Sequence, residues 1–154
     1  MVMKSLANQR DKQEIAERAQ KIQPSSQRRW GKMTAHQMLC HLCDSFRGPL
    51  GSRHLSTGKM FGPQRLVKWI ALNSPFRWPH GVKTRPEADQ MIGGTPPVDF
   101  DTDRAEFLAL LEVFCQSAKE CQARPHPTLG FMSQDEWLRW GYLHVDHHFR
   151  QFGV

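Results

Sequence analysis

Two helix starts written in one four-residue format constrain this chain more than any other feature. Thr34 is followed three residues later by Gln37, and Ser133 by Glu136. In such a box the hydroxyl accepts from the backbone of the fourth residue, whose side chain accepts from the backbone of the first, so two orphan donors of a nascent helix are satisfied at once. Met33 and Met132 precede the boxes, and Met38 and Trp137 follow at the position that staples back onto them. Behind the first box the apolar run MLCHLCDSF predicts a helix over 34–48, ended by Gly48-Pro49; behind the second, WLRWGYLHVDHHFRQF predicts one over 133–152.

Helical spacing elsewhere supports the same class. Ile15, Ala19 and Ile22 mark the apolar face of a first helix over 8–22, stopped by Pro24. Phe107, Leu110, Leu111, Phe114 and Ala118 form the stripe of a helix over 103–122. Asp99, Asp101 and Asp103 resemble the start of a calcium loop, but its sixth position would be Arg104 and its twelfth Leu110, so helix capping is the expected role. Between the second and third long helices lies a Gly- and Pro-rich connection, 49–102, with a short helix at 63–72 opened by Pro63. ARPHPTLG reads as a turn, and no β-hairpin signal occurs. The expectation is an all-α single domain over 1–154: a four-helix bundle, up-down-down-up, with a long crossover between helices 2 and 3.

At 154 residues such a chain buries roughly 70% of its unfolded surface and needs no staples. No apolar run reaches the roughly 18 residues of a membrane span, and the polar first residues do not read as a secretory signal, so a cytoplasmic protein with reduced thiols is expected. Cys40 and Cys43 form a C-x-x-C, with Cys115 and Cys121 elsewhere; all fall in helical patterns rather than zinc knuckles, and Asp44 instead of His follows Cys43.

The net charge of +6 is unevenly spread. Residues 45–86 carry eight bases (Arg47, Arg53, Lys59, Arg65, Lys68, Arg77, Lys83, Arg85) and no acid, interleaved with Phe61, Trp69, Phe76 and Trp78. Such a block suits an anion or nucleic-acid surface. Without a nucleic-acid module signature, the preferred reading is a solvated connector whose aromatics pack on the core, and nucleic acid is not the expected partner.

Four of the eight histidines stand out. His144 and His148 are one helical turn apart on one face, a spacing that lets two imidazoles share an ion. His144 with His147 satisfies periodicity as well. A third ligand must come from another helix, and His41 lies on the well-capped one. Three neutral imidazoles leave coordination positions open, as catalytic rather than structural sites do. An ion there is expected about 2.0–2.2 Å from each nitrogen; zinc and nickel both suit imidazole. Asp44 and Asp146 are possible acceptors for the ligands' outer N–H groups.

RRWGKMTAHQMLCHLCDSFRGPLG (28–51) and HPTLGFMSQDEWLRWGYLHVDHHFRQFGV (126–154) resemble the DinB/YfiT-like superfamily of metal-dependent bundles, and within it a branch that is a domain of unknown function. The resemblance implies one ligand in the second helix and two in the last, placed here on His41, His144 and His148, and so selects His148 over His147. The superfamily's small residue between arginine and glutamine is missing here, because Phe149 directly precedes Arg150-Gln151; these two are therefore expected only behind the ligands. Some members are thiol S-transferases using low-molecular-weight thiols such as mycothiol or bacillithiol, others hydrolases or isomerases, and homodimers through helix faces are frequent. The expected function is a metal-dependent enzyme, with thiol transfer leading, on a small-molecule substrate whose anionic groups the basic block receives. A hydrolase on the same site is the alternative, and a non-catalytic stress or DNA-associated binding protein using 45–86 is the third. Trp69, Trp78, Trp137 and Trp140 offer apolar surface that a homodimer would cover, or that the core takes instead.

Overall fold

A computed structural model describes residues 3–58 and 62–154; Lys59 and Phe61 of the basic block lie outside the described residues. The described chain is all-helical. Four helices carry the bulk: α1 (Gln9–Lys21), α2 (Ala35–Leu50), α4 (Phe100–Gln116) and α6 (Gln134–Gln151). Between them lie α3 (Gln64–Asn73), a short α5 (Ala118–Cys121) and one 3₁₀ turn, Pro86–Ala88. Among the described residues the only β pairing is an isolated bridge between His126 and Gly130, and no helix is long and apolar enough to cross a membrane.

Both capping boxes form. Thr34 Oγ1 accepts from Gln37 N (3.1 Å) and Gln37 Oε1 from Thr34 N (2.9 Å); Ser133 and Glu136 exchange the same two bonds at 3.2 and 2.8 Å. Two boundaries differ from expectation. α2 does not stop at Gly48-Pro49 but runs to Leu50 and is capped at Gly51, with Pro49 inside its last turn. The third long helix starts at Phe100 and breaks at Ser117 instead of spanning 103–122. Asp99, first of the three acids, takes the cap by accepting from Thr102 N (2.9 Å), which moves the start upstream.

The core lies where α2 packs on α4, with α6 and α1 alongside. Phe46 of α2 stacks on Phe114 (4.7 Å) and Phe107 (6.1 Å) of α4 and meets Trp140 of α6 edge-on (6.4 Å). Ile15, Ala19 and Ile22 are buried as their spacing required, whereas Leu110 only flanks the core. Of the four tryptophans weighed between a partner surface and the core, Trp137 and Trp140 are core residues. The basic block departs the other way: Trp78 packs against the core, but Trp69 and Phe76 are 60% and 82% exposed.

The crossover is fastened to α2 by Asp44. This fully buried carboxylate accepts from Thr95 N and Oγ1 (both 2.7 Å), Gln90 Nε2 (3.0 Å) and Arg47 Nη1 (2.8 Å), with Arg53 Nη1 at 3.2 Å. Arg53 in turn donates to the carbonyls of Glu87 and Gly93 (both 2.6 Å). The segment 86–95 is thereby held against α2, and its 3₁₀ turn lies beside His41.

Candidate metal centre

α2 and α6 bring three imidazoles together. His41 comes from the middle of α2, His144 and His148 from one face of α6. Ring nitrogens of the three lie within 4.8 Å of one another. His41 Nε2 stands 3.3 Å from His144 Nε2, and the His148 ring is 4.7 Å from that of His41 and 4.9 Å from that of His144.

Hydrogen bonds at the outer nitrogens decide which way two of the rings face. His41 Nδ1 is 2.8 Å from the Ala88 carbonyl, which only accepts. The proton is therefore on Nδ1, and the Nε2 lone pair faces the centre. His148 Nδ1 is 3.0 Å from Gln151 Oε1. The Gln151 amide cannot be reversed, because its Nε2 donates to the Trp30 carbonyl at 2.7 Å. His148 thus donates from Nδ1 and also presents a free Nε2. A main-chain carbonyl and an amide that fix tautomer and ring orientation are the usual supports behind metal-binding histidines.

The electrostatics agree. Burial pushes the pKa of His41 below the ordinary imidazole value, only partly countered by the Ala88 bond. Burial first, and the neighbouring imidazoles next, push His144 and His148 well below it. All three rings are neutral at pH 7, as ligation requires. His144 stacks on Trp140 (4.9 Å, 29° between planes), and its buried Nδ1 has no partner among the described residues. The donor set fits a divalent ion: ligand nitrogens roughly 2.0–2.1 Å from a shared metal lie about 3.0–3.4 Å apart, which brackets the His41–His144 separation.

A family described as a protein of unknown function, DUF1569, matches residues 4–153. The chain belongs to the DUF1569 family. No curated protein and no solved structure matches it.

In this DUF1569 chain the structure separates the two pairings that periodicity left open. His147 does not join the convergent set. Its ring sits edge-on to Trp30 (5.8 Å) and His148 (5.3 Å), and burial, then Arg150 and His80, push its pKa down to about 4. The carboxylates expected behind the ligands are elsewhere. Asp44 faces the crossover, as described. Asp146 pairs with Arg18 and Arg150 (both 2.8 Å), which also takes Arg150 away from the centre. Gln151 does stand behind a ligand.

Sequence reasoning missed the Ala88 carbonyl, since a main-chain acceptor has no residue signature. It also missed the role of Trp30-Gly31. Gly31 has φ +80°, and a Cβ there would lie 2.4 Å from Gln151 Nε2; a side chain at 31 would dislodge the amide that holds His148.

Over the three Nε2 atoms opens a cleft of about 1380 Å³, lined by Trp30, Trp78, Trp140, His126 and His147 among others. Trp30 stacks on His80 (3.9 Å, 8°), joining the loop before α2 to the crossover across this cleft. His126 has its Nδ1 occupied as the acceptor of Thr128 N (3.1 Å) and Leu129 N (3.0 Å), so its proton is on Nε2.

His36, Cys40 and Asp103 form a second cluster between α2 and α4. Asp103 Oδ2 is 2.6 Å from His36 Nε2 and accepts from Val98 N at 3.1 Å. Burial, and then the charge of Asp103, push the Cys40 thiol up to about 12, so it stays protonated. These contacts satisfy one another and tie the two helices.

Proposed function

We propose that this protein is a metal-dependent enzyme in which His41, His144 and His148 hold one divalent ion, zinc or nickel, with thiol S-transfer as the leading reaction. The reading is carried by the two outward hydrogen bonds, His41 to Ala88 and His148 to Gln151, which turn both Nε2 lone pairs toward the nitrogen of His144. A divalent ion so placed lowers the pKa of a bound thiol or water toward neutrality. The protein's share is to hold the imidazoles neutral and oriented, to leave the remaining positions open to the cleft, and to line that cleft with indole rings that exclude water. Supporting kinship with the DinB/YfiT-like superfamily, and its up-down-down-up connectivity, are the long crossover between α2 and α4 and the placement of one histidine on α2 and two on α6. A cytoplasmic location is supported by four free cysteines. A homodimer is supported by Leu66, Trp69 and Ile70, exposed along α3.

The test is metal analysis of the untagged protein purified without chelator. About one equivalent of zinc or nickel is expected per chain. His41→Ala, His144→Ala and His148→Ala should each lose most of it, while His147→Ala keeps it. The metal-loaded protein should then couple a low-molecular-weight thiol to chlorodinitrobenzene, and a chelator should abolish that turnover. Ester hydrolysis without thiol would favour the hydrolase, and a triad of variants that all retain metal would overturn the site.

A further inference from the structure

One guanidinium in the cleft lies beside a glycine and makes no hydrogen bond or ion pair among the described residues. Arg85 is half-buried, and its guanidinium occupies the space beside Gly58: a Cβ at 58 would come within 2.6–2.8 Å of three of its atoms. Among the described residues it meets no hydrogen-bond acceptor and no carboxylate. Two other guanidiniums in the cleft are engaged. Arg53 has its donors engaged by Glu87, Gly93 and Thr95, and Arg124 donates to the Pro49 carbonyl at 3.3 Å.

The position of Arg85 matters as much as its lack of partners among the described residues. It opens the 3₁₀ turn whose last residue, Ala88, holds His41, and Ala88 N donates to the Arg85 carbonyl at 2.9 Å. At about 2 Å rise per residue, that turn spans roughly 6 Å. Arg85 and the carbonyl that holds His41 thus belong to one short element, itself fastened to α2 through Asp44. The field around them is positive: Lys32, Arg77 and Lys83 also line the cleft, and the only lining acid among the described residues is Asp89, whose Oδ1 is engaged by Met91 N (2.9 Å). The walls between are largely apolar, with Trp30, Trp78 and Trp140.

We propose that the cleft binds a small organic oxyanion, a carboxylate or a phosphate ester, whose charged group is gripped by Arg85 and whose apolar body lies along the tryptophans toward the histidines. A planar fork of donors matches two oxygens of either group. The inference rests on the metal-enzyme reading only in taking this ligand for the substrate.

Calorimetry on the full chain, zinc-loaded and chelator-treated, tests it with three probes of one shape: 2-naphthoate, 2-naphthyl phosphate and uncharged 2-naphthylmethanol. At least one anion should bind about tenfold more tightly than the alcohol. Which anion binds more tightly tells the carboxylate from the phosphate ester. Arg85→Gln should lose that advantage, leaving alcohol binding and zinc content as in the wild type. Gly58→Ala should weaken anion binding in the same sense by displacing the guanidinium, and serves if Arg85→Gln does not fold. Equal binding of the alcohol and both anions, or anion binding untouched in the folded variants, would overturn the proposal. Anion preference in a protein that takes up no zinc would keep it while sinking the metal site; zinc uptake without anion preference would do the reverse.

Discussion

His126 carries a cost that pH makes visible. Two backbone N–H groups occupy its Nδ1, and burial pushes its pKa down to about 3. An unfolded chain takes up that proton near pH 6.5, whereas the folded ring stays neutral far below it. Stability present above pH 6.5 is therefore lost as pH falls from 6.5 toward 3, at up to about 1.4 kcal/mol per unit. In His126→Asn the amide oxygen can accept from the same two N–H groups without titrating. Urea unfolding in excess chelator should show wild-type stability falling by about 2 kcal/mol more than the variant's between pH 6.5 and 5. His41, His144 and His148 push both proteins in the same direction and so cancel in the difference; parallel profiles would clear His126 of the effect. At this scale the candidate site was legible where side-chain type and helical spacing met, as at His144 and His148. It was illegible where the partner is a carbonyl, as at Ala88. For Asp44 the spacing was read correctly, one turn beyond His41, but spacing within a helix does not say what packs across from a residue.

The Asp44 latch joins α2 to the crossover and acts on the site from outside it. Replacing one member of a buried charged cluster leaves the others desolvated and unpaired, at about 3–5 kcal/mol. Asp44→Asn keeps the volume but sets an amide N–H against Thr95 N and leaves Arg47 and Arg53 without their shared charge. A loss of about 3 kcal/mol in urea unfolding is expected, with faster amide exchange over 88–95. Because Ala88 then no longer steadies His41, metal affinity should fall about tenfold or more, although no ligand has changed. Lowered stability with full affinity would show that His41 keeps its orientation without the latch. The elements themselves were largely written in local chemistry: the boxes at Thr34 and Ser133 placed the starts of α2 and α6. α4 was misplaced because Asp99, Asp101 and Asp103 all offer cap oxygens, and only tertiary contacts choose among them. Asp103 is taken by His36 and Val98, which leaves Asp99 to cap.

In the whole molecule the apolar core and the histidine centre are built by the same two helices but from different residues. Met38, Leu39, Leu42 and Phe46 of α2 and Trp137, Val145 and Phe149 of α6 are fully or almost fully buried against Phe107, Leu111 and Phe114. His41, His144 and His148 open instead on the cleft side. In a small zinc domain the metal replaces a core; here a core exists without it, so apo protein should stay folded. An ion bound only by the native state adds about 2.7 kcal/mol at a hundredfold excess over its dissociation constant. For a chain of this length that corresponds to a rise in Tm of about 5–10 °C. Chelation should therefore leave far-UV circular dichroism and cooperative melting intact, lower Tm by that amount, and be reversed by zinc. His148→Ala should melt at about the same temperature with and without zinc, since its triad is broken. Collapse of the helical signal on chelation would mean that the core does not stand alone, because α2 and α6 would then depend on the ion to stay together.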